Sequence, residues 1–385
     1  VLPGTGGLTR LTDKRKVRKD LADIFCTNAD GVRGKKALEW NLVDYIAPPS
    51  TFSNLIEERT NELCKKVTLR NGKKGITLFK LKRKIEKNCI NYETISCSFN
   101  RDTRVAHIDI VGPSDSEVID LNEIFGKGSD WWILKFIREL DDLVLMLRTN
   151  ELEIGVLTIR SKGSINNVLK VNSVLQNNND NWLINETIGF IRRTFSRLDI
   201  SSRSIFTLVD NDSCFAGFLS ELLFLADRTY MLNNALLNKN ENGPFISICD
   251  LNFKSLEMVN GQTRLETRFN GNEKKIKELK LLSNKLLNAE DAFTKELITV
   301  IPDDLDWSDE IRLSIEERTS FSPDALTGLE ANLRFPGKES CETKIFGRLS
   351  AWQNWIFNRP NASSNKGALK LFGTGSKAKF DNKRV

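Results

Sequence analysis

Ile205–Met231, IFTLVDNDSCFAGFLSELLFLADRTYM, is the stretch whose reading decides the fold. Its first five residues, Ile205-Phe206-Thr207-Leu208-Val209, form an apolar run rich in β-branched and aromatic side chains, the signature of a buried strand. Asp210-Asn211-Asp212-Ser213 is a polar turn, and apolar residues then recur at helical spacing from Cys214 to Met231. The expectation is a strand, a turn and a helix, with the small residues Ala216 and Gly217 where the helix begins. Two readings of that end stand. Its N–H groups, carrying partial positive charge, can stabilise an oxyanion if another molecule approaches. Alternatively, the small residues only let the helix pack tightly on its strand.

Around this stretch the chain alternates strands with helices. Tyr92–Phe99 and Arg104–Val111 read as paired strands, Trp131–Leu147 as a long amphipathic helix and Ile154–Ile159 as a strand. Asn166–Asp180 reads as partly loop, Trp182–Leu198 as a helix and Pro244–Cys249 as a strand. Such alternation predicts an α/β layered domain. The segment Ala37–Ile46 reads as a helix end passing into a short strand, and Phe52–Cys64 as a helix. Near the C-terminus Ser322-Pro323-Asp324 opens a helix, with proline in its first turn. An aromatic helix follows, carrying Trp352, Trp355 and Phe357 and closed by Pro360, and Gly367–Val385 reads as an extended strap over a neighbouring domain.

The 385 residues have room for about two or three domains. No apolar run approaches the roughly 18 residues of a membrane span. Seven scattered cysteines without a CxxC suit a reducing compartment, so a cytoplasmic location is expected. With His107 the one histidine, placed in a strand-like run, a Ser/His triad or a histidine metal site is hard to build. Residues 65–87 carry ten Lys/Arg and one Glu, a charge of +9, so the rest of a chain that is +6 overall carries −3. The basic character belongs to one linker, and with Phe79 as its one aromatic it makes a poor single-strand stacking platform.

Two stretches echo each other. Gly7-Leu8-Thr9-Arg10-Leu11 matches Gly261-Gln262-Thr263-Arg264-Leu265 at an offset of 254, and Leu42–Ile46 resembles Leu297–Ile301 at an offset of 255. Two echoes at nearly one offset predict a duplicated module.

Pro3-Gly4-Thr5-Gly6-Gly7-Leu8-Thr9-Arg10-Leu11 resembles the PGxGGTxRL element of the crotonase (enoyl-CoA hydratase/isomerase) superfamily, and Ala37–Ile46 looks like the segment that follows it. Residues 1–27, 186–232, 320–335 and 345–362 narrow the likeness to ring-cleaving lyases of that superfamily, and the resemblance spans essentially all 385 residues. It implies a ββα spiral with a truncated first module (1–64), a basic linker (65–90), a second, degenerate module (91–320) and a helical C-terminal region with an extended tail (321–385). Val1-Leu2-Pro3-Gly4 has mid-domain character without an initial Met, so a missing front is expected.

The implied activity is ring opening of 2,3-epoxybenzoyl-CoA in aerobic benzoate breakdown, consuming two waters and giving formate and an unsaturated adipyl-CoA semialdehyde. No metal or redox cofactor is implied. The substrate is a CoA thioester, and the partner a second copy in a homodimer or other homo-oligomer, not nucleic acid or membrane. Two backbone N–H groups hold the thioester carbonyl and two glutamates handle water and protons. The resemblance puts the working glutamates upstream of Val1, so this chain alone is expected to be inactive. Gly4, Gly6 and Gly7 are expected in the wall of the substrate pocket. In the second module Ala216 and Gly217 fall at the oxyanion-like helix end, and Glu221 and Asp250 match the carboxylates. Ser161-Lys162-Gly163-Ser164-Ile165 departs from the loop that supplies the other N–H donor. The rival readings are another CoA-ester hydratase or isomerase, a non-catalytic scaffold, and nucleic-acid binding through residues 65–87.

Overall fold

The computed structural model describes residues 6–67, 75–234 and 243–384. Gly4 and residues 68–74 of the basic stretch lie outside the described residues. The chain divides into two compact units, Val1–Gly75 and Ile76–Val385.

The first unit is helical: α1 (Gly7–Asp13), α2 (Lys19–Thr27), α3 (Gly34–Glu39) and α4 (Pro49–Lys65). Gly6 caps α1 with φ +92°, a left-handed conformation that glycine adopts without steric cost. Leu42–Ile46, expected as a strand, is irregular. Asn41 takes a positive φ of 59°, so the chain turns instead of extending, and the Arg15 side chain fixes that turn by donating to the Asn41 carbonyl at 2.7 Å.

The second unit is built on a seven-stranded sheet in sequential order. Its strands are β1 (Lys84–Glu86), β2 (Cys89–Asn91), β3 (Ile95–Asn100), β4 (Val105–Val111), β5 (Val156–Lys162), β6 (Ser204–Val209) and β7 (Arg228–Met231). Strands β1 to β4 pair antiparallel; β4 to β7 pair parallel. Between the parallel strands run α5 (Leu121–Lys127), α6 (Trp132–Asn150), α7 (Ile165–Asn177), α8 (Trp182–Asp199) and the short α9 (Glu221–Phe224). All six residues of β6 are buried, as the continuous apolar run requires of a strand covered on both faces.

Three segments of this unit differ from their reading. Asn166–Asp180 is helix, not partly loop: α7 buries Val168, Val171, Asn172 and Leu175, one face at helical spacing. The helix expected through Met231 is a 3-10 turn, Gly217–Ser220, plus one turn of α-helix; Arg228–Met231 is a strand instead. Thr229 and Tyr230 suit a strand, and the unpaired edge of β6 offers them a ladder. Pro244–Cys249 contributes only isolated bridges, Ser247 to Ala216 and Ile246 to Leu287.

After the sheet come α10 (Arg264–Arg268), α11 (Glu273–Lys280), α12 (Ala289–Thr294), α13 (Trp307–Ser320) and α14 (Pro323–Leu333). A π-helical turn, Thr343–Leu349, then leads into α15 (Ser350–Phe357), α16 (Pro360–Ser363) and α17 (Ala368–Leu371). The tail returns to the loops that lead into β5 and β6 of its own unit, where Arg384 donates from its backbone to the Leu152 carbonyl and from its side chain to the Ser202 carbonyl.

The sequence echo is an echo of structure. Helices α2 and α11 begin at residues 19 and 273, and α3 and α12 at 34 and 289. Left-handed non-glycine residues, uncommon anywhere, occur at Lys16 and Asn270 and again at Asn41 and Glu296. In each copy an arginine Nε donates to the carbonyl of the second of these residues, Arg15 to Asn41 and Arg268 to Glu296.

Candidate functional site

The elements that place Gly217 also close it. Ala216 forms a parallel bridge with Ser247, and the Gly217 N–H donates to the Ser247 carbonyl at 3.0 Å. Gly217 has φ +57°, and a Cβ there would lie 2.7 Å from the Asn172 side chain. The next amide, Phe218 N–H, donates to Asn172 Oδ1 at 3.0 Å. The ring of Phe218 packs against Trp132 and Phe136 of α6, which fixes the turn on the core. Both readings of this helix end are thereby resolved geometrically: the small residues admit a close neighbour, and that neighbour is the carboxamide of Asn172. The corresponding loop after β5 is equally occupied, since Gly163 N–H donates to the Asp212 carbonyl at 3.0 Å.

Glu221 is wholly buried one turn further on. Its Oε2 lies 2.7 Å from Arg264 Nη1 and its Oε1 accepts from Asn252 Nδ2 at 2.8 Å. Arg264 in turn grips Asp199 with Nε and Nη2 at 2.9 and 2.6 Å. The result is a buried triad of two carboxylates about one guanidinium. Burial pushes both carboxyls up, and the guanidinium between them pulls them back. On Arg264 burial disfavours the charge, but the two carboxylates outweigh it and raise its affinity for its proton. Wholly buried and with a donor on each oxygen, Glu221 presents no open face to a substrate.

Asp250 faces elsewhere. It opens a 3-10 turn, Asp250–Phe253, accepts from Ser283 Oγ at 3.2 Å, and lines a cavity of about 220 Å³ with Asn177, Lys254 and Asn284. Glu221 and Asp250 therefore hold different partners and do not converge as an acid–base pair. The residue beside Asn172 is Cys249, whose Sγ lies 3.6 Å from Asn172 Oδ1 and whose thiol is pushed up to about 11 by burial. Cys214 is likewise buried, and burial pushes its thiol to about 11. His107 sits in β4 with Nδ1 2.8 Å from Thr158 Oγ1, a strand-to-strand contact. In the first unit, Gly6 and Gly7 form the start of α1.

Asn172, Arg264, Asn252 and Cys249 escaped the sequence reading. The signal that could have found Asn172 is the spacing of positions 168, 171, 172 and 175, one face of a helix. Arg264 stood inside the Gly-Gln-Thr-Arg-Leu echo, but nothing there pointed to its two buried carboxylate partners.

No protein-family profile matches the chain. A benzoyl-CoA-dihydrodiol lyase from Aromatoleum evansii is 46% identical over 385 residues, all of this chain and 68% of that protein. The chain belongs to the benzoyl-CoA-dihydrodiol lyase family. Its fold is that of the crotonase superfamily. An enoyl-CoA hydratase structure from Geobacillus kaustophilus aligns with a TM-score of 0.53 at 14% identity, over 76% of this chain and 98% of that one. One from Bacillus anthracis aligns at 0.52 and 12%, over 76% and 100%. Membership makes this a lyase, and the ββα expectation for the fold stands. Among the described residues no helix is long and apolar enough to cross a membrane.

Proposed function

We propose that the protein cleaves the ring of 2,3-epoxybenzoyl-CoA, releasing formate and an unsaturated adipyl-CoA semialdehyde, and that the second unit is a structural copy that does none of the chemistry. The 46% identity to a benzoyl-CoA-dihydrodiol lyase supports the first part. The single observation that carries the second is the Phe218 amide already bonded to Asn172. A thioester oxygen needs free donors about 3 Å away, and here a side chain takes the place of the substrate. Two waters added to a seven-carbon acyl epoxide account for the one-carbon and six-carbon products without net oxidation, so the reaction calls for no redox cofactor. A thioester carbonyl held by fixed dipoles, with carboxylates to deprotonate water, suffices in principle. The working carboxylates are then not Glu221 and Asp250, and Gly6 and Gly7 belong to the wall of the working pocket. The enzyme acts in the cytoplasm as a homo-oligomer.

The test is formate release by the native protein supplied with 2,3-epoxybenzoyl-CoA. Formate and semialdehyde should appear in equal amounts, and Glu221→Gln and Asp250→Asn should leave kcat within about two-fold of the parent. Hydration of a simple enoyl-CoA without formate release would replace this reading by a hydratase. A loss of 100-fold or more in either variant, with folding intact, would return catalysis to the second unit.

A further inference from the structure

The turn-helix from Gly217 to Phe224 has a second end, and there the structure is open. A cavity of about 300 Å³ lies against Phe224–Asp227, the end of α8, α10 and α14, a volume at the lower end of small-molecule sites. Two charge pairs in its lining are closed. Arg264 holds Asp199 in a two-bond fork, and Arg334 holds Asp227 the same way, at 2.9 and 2.6 Å.

Three other groups in the lining are not saturated. Glu330 is 2% exposed; its Oε1 accepts from Ser204 Oγ, but its Oε2 is buried without a hydrogen-bond partner among the described residues. Such a group is expensive unless something completes it. The Arg318 guanidinium lies 3.9 Å from Glu330 Oε1, beyond hydrogen-bond length, and is only 12% exposed. Arg268 lines the same cavity and spends its Nε on the Glu296 carbonyl, one of the five N–H groups of a guanidinium. Leu329 and Leu333 supply an apolar wall at the mouth.

We propose that this cavity is a binding site for a compact organic carboxylate, held by Arg318 and Arg268 beside the buried carboxyl of Glu330, and resting its apolar body on Leu329 and Leu333. Two unsaturated guanidinium groups against one carboxyl favour an anion over an amine. An anion beside Glu330 requires that carboxyl to be protonated, and the site is disposed to that. Burial first, then the charge of Asp227, pushes Glu330 up to about 7. The groups facing it are Arg334 on its own helix, Arg318 of α13, Asp227 before β7, Ser204 of β6 and Arg384 of the tail. Protonated, it leaves the ligand's charge unopposed; ionised, it repels it. Binding therefore takes up a proton and weakens as pH rises through neutrality.

Isothermal titration calorimetry of the chain tests this, with cyclohexanecarboxylate and inorganic phosphate as probes at pH 6 and pH 8. Cyclohexanecarboxylate should bind one to one, at least five-fold tighter at pH 6, with proton uptake shown by buffers of different ionisation heat. Phosphate, lacking an apolar body, should bind more weakly. Arg318→Gln should weaken cyclohexanecarboxylate binding ten-fold or more. Should that variant not fold, Leu333→Glu, at a position 68% exposed, should do the same by placing a carboxylate at the mouth. Absence of binding, phosphate binding as tight as cyclohexanecarboxylate, or an affinity indifferent to whichever of these variants folds would overturn the proposal.

Discussion

Arg264 is the residue on which the interior of the second unit turns. Replacing it by methionine would leave Asp199 and Glu221 as two uncompensated buried carboxyls, so Arg264→Met should cost about 3–5 kcal/mol in chemical denaturation. Gly217 is a second such position, for a different reason. Gly217→Ala combines a left-handed φ with a Cβ driven into Asn172, and should cost about 1–3 kcal/mol. Pairing it with Asn172→Ala should recover the part due to the carboxamide and leave the part due to φ and to the remaining Cβ at 3.0 Å, a less than additive cycle. Sequence alone carried Gly217 and Glu221 as chemically interesting, and both do sit where a strand hands over to a helix. What it could not carry was their partners. Asn172 lies 45 residues before Gly217 in the chain and Arg264 lies 43 after Glu221, and side-chain pairing over such separations leaves no local pattern.

At the scale of elements, strands β3 and β4 and helices α6 and α8 were legible because each repeats one period, and β5 and β6 because their apolar runs are nearly unbroken. Helix α7 was not, because asparagines at 166, 167, 172 and 177 mask a periodicity carried by Val168, Val171 and Leu175. Strand β7 was hidden for the opposite reason: four residues are too few to show a period of two after a helical run. The ladder offered by β6 decided their conformation. Helix α14 owes its place to Arg334, which bonds Asp227 and the Ser201 and Arg203 carbonyls. Arg334→Met should therefore cost about 3 kcal/mol and render the residues after Pro323 sensitive to limited proteolysis, while the sheet strands keep their amide protection. Equal loss of protection in β4–β6 would show that α14 is instead integral to the sheet's cooperative unit.

Across the whole molecule, the repeat is the feature that sequence showed most faintly and structure shows most fully. Two five-residue echoes are matched by helix starts, by paired left-handed residues at Lys16 and Asn270 and at Asn41 and Glu296, and by the same arginine-to-carbonyl bond. Backbone conformation has outlasted side-chain identity: Lys16 and Asn270, or Asn41 and Glu296, share a φ but no chemistry. Glu330 gives the stability of the whole a pH signature that can be isolated. The Glu330 carboxyl is raised from its ordinary 4.5 to about 7, so the folded state holds its proton where the unfolded state has released it. Its contribution is intact below about 4.5 and is lost as pH rises to about 7. Comparing denaturation midpoints of the parent and Glu330→Gln across that range isolates it; a difference constant with pH would refute the assignment.

The claim beneath all of this is that the second unit keeps the crotonase fold with its carbonyl-binding donors filled from within. The backbone amide resonances of Gly217 and Phe218, followed while the chain is titrated with benzoyl-CoA, test it most directly. They should stay in place at every ligand concentration. A saturable shift of both would mean that Asn172 yields to substrate and that the unit binds thioester after all.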